Sequence, residues 1–340
     1  MFKDIKQVMK DSVLYGIGNV AVKLVGFILI PLYTDAEYFS TADYGLMGLL
    51  EVTSQILIAV MGLSLYSGLI RWYWDAEYRD KQKTIFFTTL LFTILTSLCI
   101  GSVLWLNVGE LSALLVQQEG YFLGGELPYI LQLLILTSML GAVVEVPQNL
   151  LRLQRKPIYY SLTNIVRLFA TLVLTIYFTI SLHRGVAGVY EAQLVGIVIQ
   201  LLMVLPLVIK NSSCRVDRKC TIQLLAYSYP LVFPAIVGSL LTVFDRYIIN
   251  HFQGLDDVGF YSLGYKVGNT LKVFIVTSVQ LALTPLLMKK MNDPDNKRFY
   301  SKVLTYFSFG LMFCALGLNL FSREGIVWVT TNPDYIEALY

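Results

Sequence analysis

The chain has 340 residues, of which 56% are hydrophobic and only 14% charged, with a mean hydropathy of +0.63 and a formal charge of +3. Soluble globular proteins carry about 25% charged residues, so an ordinary soluble domain is excluded. The basic residues are parcelled into separate loops rather than gathered on one face, which excludes a nucleic-acid interface.

Nine apolar stretches follow in chain order, at roughly 12–33, 44–70, 84–108, 127–151, 158–181, 185–209, 223–250, 258–288 and 302–322. Each matches or exceeds the ~20 residues an α-helix needs to cross a bilayer. The runs are continuously apolar rather than alternating, so helices and not a barrel satisfy the backbone in lipid. The sequence therefore predicts an all-α polytopic membrane protein. The first stretch is too long for the apolar core of a cleaved signal peptide and lacks a small-residue cleavage site.

The loops between these stretches alternate in charge. The N-terminus carries Lys3, Lys6 and Lys10, and the next basic loop carries Arg71, Arg79, Lys81 and Lys83. Then come Arg152, Arg155 and Lys156, followed by Lys210, Arg215, Arg218 and Lys219, and last Lys289, Lys290, Lys297, Arg298 and Lys302. These are 19 of the 26 basic residues, whereas the intervening loops hold only Arg184 and Arg323. Cytosolic loops hold the excess of Lys and Arg. The reading is an inner (cytoplasmic) membrane protein with a cytosolic N-terminus.

Five basic residues fall inside apolar stretches: Lys23, Arg167, Arg246, Lys266 and Lys272. A cation at mid-bilayer costs about 2.5–3.5 kcal/mol, so these side chains are expected to face a bundle interior or a water-filled cavity. Helical spacing agrees. Gly16, Asn19, Lys23 and Gly26 form one stripe, Asn164, Arg167, Thr171 and Thr175 a second, and Ser239, Thr242, Arg246 and Asn250 a third. Lys266, Asn269 and Lys272 add polar positions in the eighth stretch, although Lys266 and Lys272 do not share a face. The candidate substrate-binding residues are thus Lys23, Arg167, Arg246, Lys266 and Lys272, with Asn19 and Asn269. Interior acids are fewer. Glu51 and Asp245 are candidate charge partners or ion-coupling groups, and Glu145 and Glu191 sit near the ends of their stretches, as interfacial residues. The interior is net positive and favours an anionic passenger such as a pyrophosphate group.

Cys99 and Cys314 lie inside apolar runs and are expected as small core residues. Cys214 and Cys220 fall in a basic loop without metal-site spacing. No metal or cofactor is implied, and no Walker-type glycine loop points to direct ATP use. Pro230, Pro234 and Pro285 are expected kinks.

An internal repeat runs through the chain. Asp43-Tyr44-Gly45-Leu46 enters the second stretch and Asp257-Val258-Gly259-Phe260 the eighth, with the glycines 214 residues apart. Six helices per repeat is an even number, so both halves enter from the same side and are related by a pseudo-two-fold axis along the membrane normal. The predicted domains are 1–210, a six-helix lobe, and 211–340, a partial second lobe of three helices. Doubling the period gives about 430 residues, so a C-terminal truncation is expected.

Several segments in this order resemble the polysaccharide (O-antigen type) flippases of the multidrug/oligosaccharidyl-lipid/polysaccharide exporter superfamily. They are Ala42-Asp43-Tyr44-Gly45, Gly62-Leu63-Ser64, Leu69-Ile70-Arg71-Trp72-Tyr73, Leu153-Gln154-Arg155-Lys156-Pro157, Gly185-Val186-Ala187-Gly188 and Asp245-Arg246-Tyr247. The resemblance implies two six-helix lobes around a cationic cavity that works by alternating access. It implies undecaprenyl-diphosphate-linked oligosaccharide as passenger, membrane lipids as surroundings, polysaccharide polymerase machinery as a partner and a role in lipopolysaccharide or other surface-polysaccharide biosynthesis. Lys23 falls where related lipid II flippases carry an arginine. The competing readings are a cation-coupled drug exporter of the same superfamily and a membrane-bound glycan ligase or polymerase. The third is weakened by the longest acidic-side loop, about 109–126, whose only carboxylate side chains are Glu110, Glu119 and Glu126.

Overall fold

The computed structural model describes residues 28–115, 126–213, 215–276, 279 and 296–339. Lys23 and Asn19, with most of the first apolar stretch, lie outside the described residues, as do Cys214 and Pro285.

A short helix α1 (Ile30–Tyr33) leads into α2 (Thr41–Gly62). The start of α2 is fixed by a capping box: the Asp43 amide donates to Ser40 Oγ at 3.1 Å and the Ser40 amide to Asp43 Oδ2 at 2.9 Å. It ends where Leu63 and Ser64 both adopt the left-handed conformation, with φ of 45° and 51°. Two consecutive non-glycine residues there are unusual, because each Cβ crowds the following carbonyl. The second apolar stretch, read from sequence as one helix over 44–70, is therefore broken, and α3 (Leu65–Trp72) continues it at a new angle.

Next come α4 (Gln82–Leu106), α5 (Val108–Leu115), α6 (Glu126–Leu153), α7 (Pro157–Ile176) and α8 (Gly185–Asn211). A π-helical turn, Tyr177–Ser181, extends α7. The second half contributes α9 (Arg218–Phe252), α10 (Leu255–Leu271), α11 (Asn296–Leu320) and α12 (Ser322–Val329). A second π-helical turn, Lys272–Val276, follows α10, and a 3-10 helix, Pro333–Leu339, closes the chain. α9 runs through Pro230 and Pro234 as one continuous helix, and Pro147 and Pro206 are likewise accommodated inside α6 and α8. Among the described residues, seven helices are long and apolar enough to cross a membrane by length and composition.

The helices bury two apolar clusters at opposite ends of the bundle. One gathers Tyr44, Leu127, Ile130, Leu255 and Tyr335, and we call this the Tyr335 end. The other gathers Leu65, Leu69, Phe86, Leu150, Cys220 and Leu224, at what we call the Lys81 end. Large apolar side chains elsewhere point outward, among them Phe169 on α7, Phe233 and Leu241 on α9 and Phe313 on α11. Such a surface suits lipid rather than water. It also explains a departure from expectation: Cys99 and Cys314 are exposed, not core residues, because an apolar run in lipid has no obligation to face inward.

The two halves touch at both ends. At the Tyr335 end α2 crosses α10 so closely that a Cβ on Gly45 would collide with the Leu255 carbonyl, and one on Gly259 would lie 2.5 Å from the Thr41 oxygen. The Thr41 hydroxyl donates to Asp256, and Tyr335 packs edge-on against both Tyr44 and Phe260, at 5.7 Å each. At the Lys81 end α3 packs on α9, where a Cβ on Gly68 would lie 2.8 Å from Ser228 Oγ, and Lys81 pairs with Asp217 at 2.5 Å.

Candidate functional site

Between the two end contacts, three adjoining chambers follow one face of α2. The first, of about 430 Å³, is lined by Tyr44, Glu51, Asn164, Arg167, Thr171 and Lys266 among others. The second, about 250 Å³, is lined by Thr137, Glu145, Gln148, Asn149, Arg152, Tyr160, Arg167, Gln193 and Gln200 among others. The third, about 400 Å³, lies toward the left-handed break, between Gln55, Gly62, Ser64 and Tyr66 on one side and Ala235 and Ser239 of α9 on the other. Ser54, Asn164, Arg167 and Gln193 border both the first and second chambers, while Ile58 and Glu145 border the second and third. On α2 the lining positions Tyr44, Met47, Glu51, Ser54, Gln55, Ile58 and Gly62 recur at helical spacing.

The three cations in this space each have a definable support. In the first chamber the Lys266 ammonium lies 3.8 Å from Glu51 Oε2 and 5.0 Å from the ring centroid of Tyr44. In the second, Arg167 donates to Gln200 Oε1 at 3.0 Å, and Gln200 donates in turn to Asn164 Oδ1 at 3.0 Å. Arg152 stacks 4.7 Å from the Tyr160 ring centroid and donates to its hydroxyl. The chambers thus hold Arg152, Arg167 and Lys266 against Glu51 and Glu145, with a belt of carboxamides between them.

The structure brings together Arg167, Lys266 and Glu51 of the residues singled out in the sequence. It places Arg246, Asp245, Lys272 and Asn269 outside the lining of these chambers. Arg246 is 6% exposed, with its guanidinium carbon 4.8 Å from the Tyr265 ring centroid and its Nε without a partner among the described residues. Asp245 accepts from the Tyr261 hydroxyl and from the Arg246 amide, so these adjacent charges do not pair side chain to side chain. Lys272 is exposed on the π-helical turn and Asn269 is half-buried on α10. Of the stripes, Asn164, Arg167 and Thr171 line the chambers, and Thr175 is fully buried. Ser239 reaches the third chamber, while Asn250 donates instead to the Leu115 carbonyl at 2.7 Å.

Two groups escaped the sequence reading. Arg152, assigned to a basic loop, lines the second chamber. Glu145, assigned to an interface, lines two chambers, whereas Glu191 fits that assignment by accepting from Arg184 at 2.5 Å and Tyr129 at 2.8 Å near the Tyr335 end. A signal for both was present. Thr137, Gly141, Val144, Glu145, Gln148, Asn149 and Arg152 form one helical stripe in an apolar stretch.

Outside the spans, the Lys81 hydrogen bond and the Lys219 amide hold the Asp217 carboxyl below its ordinary value, and the same contact raises Lys81. Asp217 also caps α9 by accepting from the Lys219 amide at 2.9 Å.

Residues 8–291 match the family described as polysaccharide biosynthesis protein. The chain belongs to that family. No curated protein matches the sequence. Among solved structures, this family member is similar in fold to the MATE multidrug transporter DinF-BH, with a TM-score of 0.70 at 15% identity, covering 96% of this chain and 78% of that one. A Vibrio cholerae MATE transporter aligns at 0.66 and 16% identity, over 98% and 77%. A Pyrococcus furiosus transporter of the MOP superfamily, described as having a binding pocket of reverse polarity, aligns at 0.64 and 16% identity, over 98% and 76%. The fold is shared with these solved transporters.

Proposed function

We propose that this polysaccharide biosynthesis protein is a flippase. It carries undecaprenyl-diphosphate-linked oligosaccharide repeat units from the inner to the outer leaflet by alternating access. The observation that carries the reading is the cavity itself, with Arg152, Arg167 and Lys266 outnumbering Glu51 and Glu145 and carboxamides lining the space between. Guanidinium and ammonium groups suit a diphosphate, and carboxamides suit a hydroxylated glycan because each can donate and accept. In this reading the protein sits in the inner membrane with the Lys81 end in the cytosol and the Tyr335 end outside. Residues 1–210 and 211–340 belong to separate lobes, and Lys23 and Asn19 join the cationic lining. Arg246, Lys272 and Asn269 serve another state of the cycle or the scaffold.

The second reading, export of cationic drugs, is favoured by the company the fold keeps and by Glu145, which makes no ion pair among the described residues. The two readings separate in cells that lack the gene. Build-up of the glycan-bearing lipid on the cytosolic face with loss of surface polysaccharide supports the flippase. Normal surface glycan with new sensitivity to cationic drugs overturns it.

A further inference from the structure

The second chamber contains buried acceptors that nothing nearby satisfies. Gln148 is 8% exposed, and its Nε2 donates to Thr163 Oγ1 at 2.9 Å, yet its Oε1 meets no donor among the described residues. Thr137, 5% exposed on the same stripe of α6, has a hydroxyl in the same condition. The Glu145 carboxylate, half-buried on the same stripe, has no side-chain hydrogen bond or ion pair among the described residues. Buried acceptors without donors are rare in folded proteins, and such a cluster marks a place where water or a ligand completes the bonding.

Donors come from Arg167 on the facing α7 wall and from Arg152 at the end of the α6 stripe. Arg167 is held in place through Gln200 and Asn164, and Arg152 is held over Tyr160. A guanidinium carries five N–H donors, so both retain donors for a ligand. A diphosphate offers only acceptors. It would be repelled by Glu145 and would leave Gln148 Oε1 unmet. A cationic drug would meet two guanidiniums. A sugar ring presents adjacent hydroxyls, each able to donate to the α6 wall and accept from the α7 wall. The chamber's volume of about 250 Å³ lies just below the range of drug-sized ligand sites, about 300 to 1,000 Å³, and suits a single small ring.

We infer that this chamber seats a sugar ring of the passenger, with Glu145 and Gln148 accepting from ring hydroxyls and Arg167 donating to them. The diphosphate is left to the first chamber and Lys266. The inference rests on the flippase reading and adds a glycan subsite to it.

The test is equilibrium binding to the purified full chain in nanodiscs, by native mass spectrometry. The two probes are undecaprenyl diphosphate and the undecaprenyl-diphosphate-linked repeat unit extracted from source cells that lack the transporter. Glu145→Gln and Gln148→Met are expected to weaken the glycosylated lipid about tenfold each and leave the sugar-free lipid unchanged. Lys266→Ala weakens both. Unchanged binding of the sugar-free lipid doubles as the control for folding. Equal weakening of both lipids by the α6 variants, or of neither, overturns the glycan subsite while the flippase reading stands. Failure of both lipids to bind the unmodified chain overturns the flippase reading and the subsite with it.

Discussion

Lys266 and Glu51 meet across the boundary between the two halves, with Nζ 3.8 Å from Oε2 and the ammonium 5.0 Å from the centroid of Tyr44. The lysine is 27% exposed and the carboxylate 54%, so the pair is open to the cavity rather than sealed in a core. A half-open ion pair is easily exchanged: a phosphate oxygen can replace the carboxylate at little cost, because an exposed pair contributes only about 0–1 kcal/mol.

Exchange of this kind predicts an asymmetric mutant pattern. Lys266→Ala is expected to lower glycan export at least about tenfold, Lys266→Arg to retain most of it, and Glu51→Gln to retain it or strengthen lipid binding. Surface polysaccharide and accumulated lipid-linked repeat units in complemented cells provide the readout. Equal loss in all three variants would make the pair structural.

The Gly45–Gly259 crossing predicts a steric defect with no chemistry in it. Gly45→Ala forces a methyl against the Leu255 carbonyl, a backbone atom that cannot swing away. Overpacking of this kind costs about 1–3 kcal/mol, seen as a lower melting temperature in detergent. Gly238→Ala, where an added Cβ meets nothing within 4 Å, is the control and is expected to be neutral or slightly stabilising, since alanine is the better helix former by about 1 kcal/mol.

The break between α2 and α3 responds to residue shape. Leu63→Gly relieves the left-handed backbone at φ 45° and is expected to hold or raise the melting temperature. Leu63→Val adds a β-branch where even a single branch is crowded and lowers it. If both variants melt alike, the left-handed geometry carries no strain.

At the Lys81 end, Asp217 has a folded-state pKa below its ordinary 3.8 and Lys81 one above its ordinary 10.5. The carboxyl's contribution is complete above its unfolded value and lost as pH falls through the lowered one. The ammonium's is complete below 10.5 and lost as pH rises through the raised one. Between roughly pH 5 and 9, the melting difference between the unmodified chain and Asp217→Asn should therefore be flat. Added salt should shrink the ionic part of it and leave the cap on α9 intact.

Much of the architecture was legible in the sequence, because lipid leaves the backbone one solution. The helices Gln82–Leu106, Glu126–Leu153 and Gly185–Asn211 lie within a few residues of the apolar runs that predict them. The site was legible in part. Arg167, Lys266 and Glu51 stand out because a charge in an apolar run must find water or a partner. Arg246 satisfies the same rule differently, against the face of Tyr265, and no spacing distinguishes an aromatic face from a cavity. Arg152 was hidden by the opposite effect. Near the end of its helix it counts toward the basic loop, and only the path of α6 turns it inward over Tyr160. The break at Leu63 and Ser64 leaves no trace in hydropathy, since both flanks are apolar.

Gly45 and Gly259 occupy the same position of the repeat, and they face each other. In a symmetric pair of single lobes this would be one residue meeting its own copy across the two-fold axis, where every substitution strikes twice. Joined in one chain, the two positions can drift apart. One turn further along, the equivalent pair is Gly48 against Ser262, with the serine oxygen filling the space that a glycine would leave open. The crossing is thus matched at its tightest point and asymmetric one turn away.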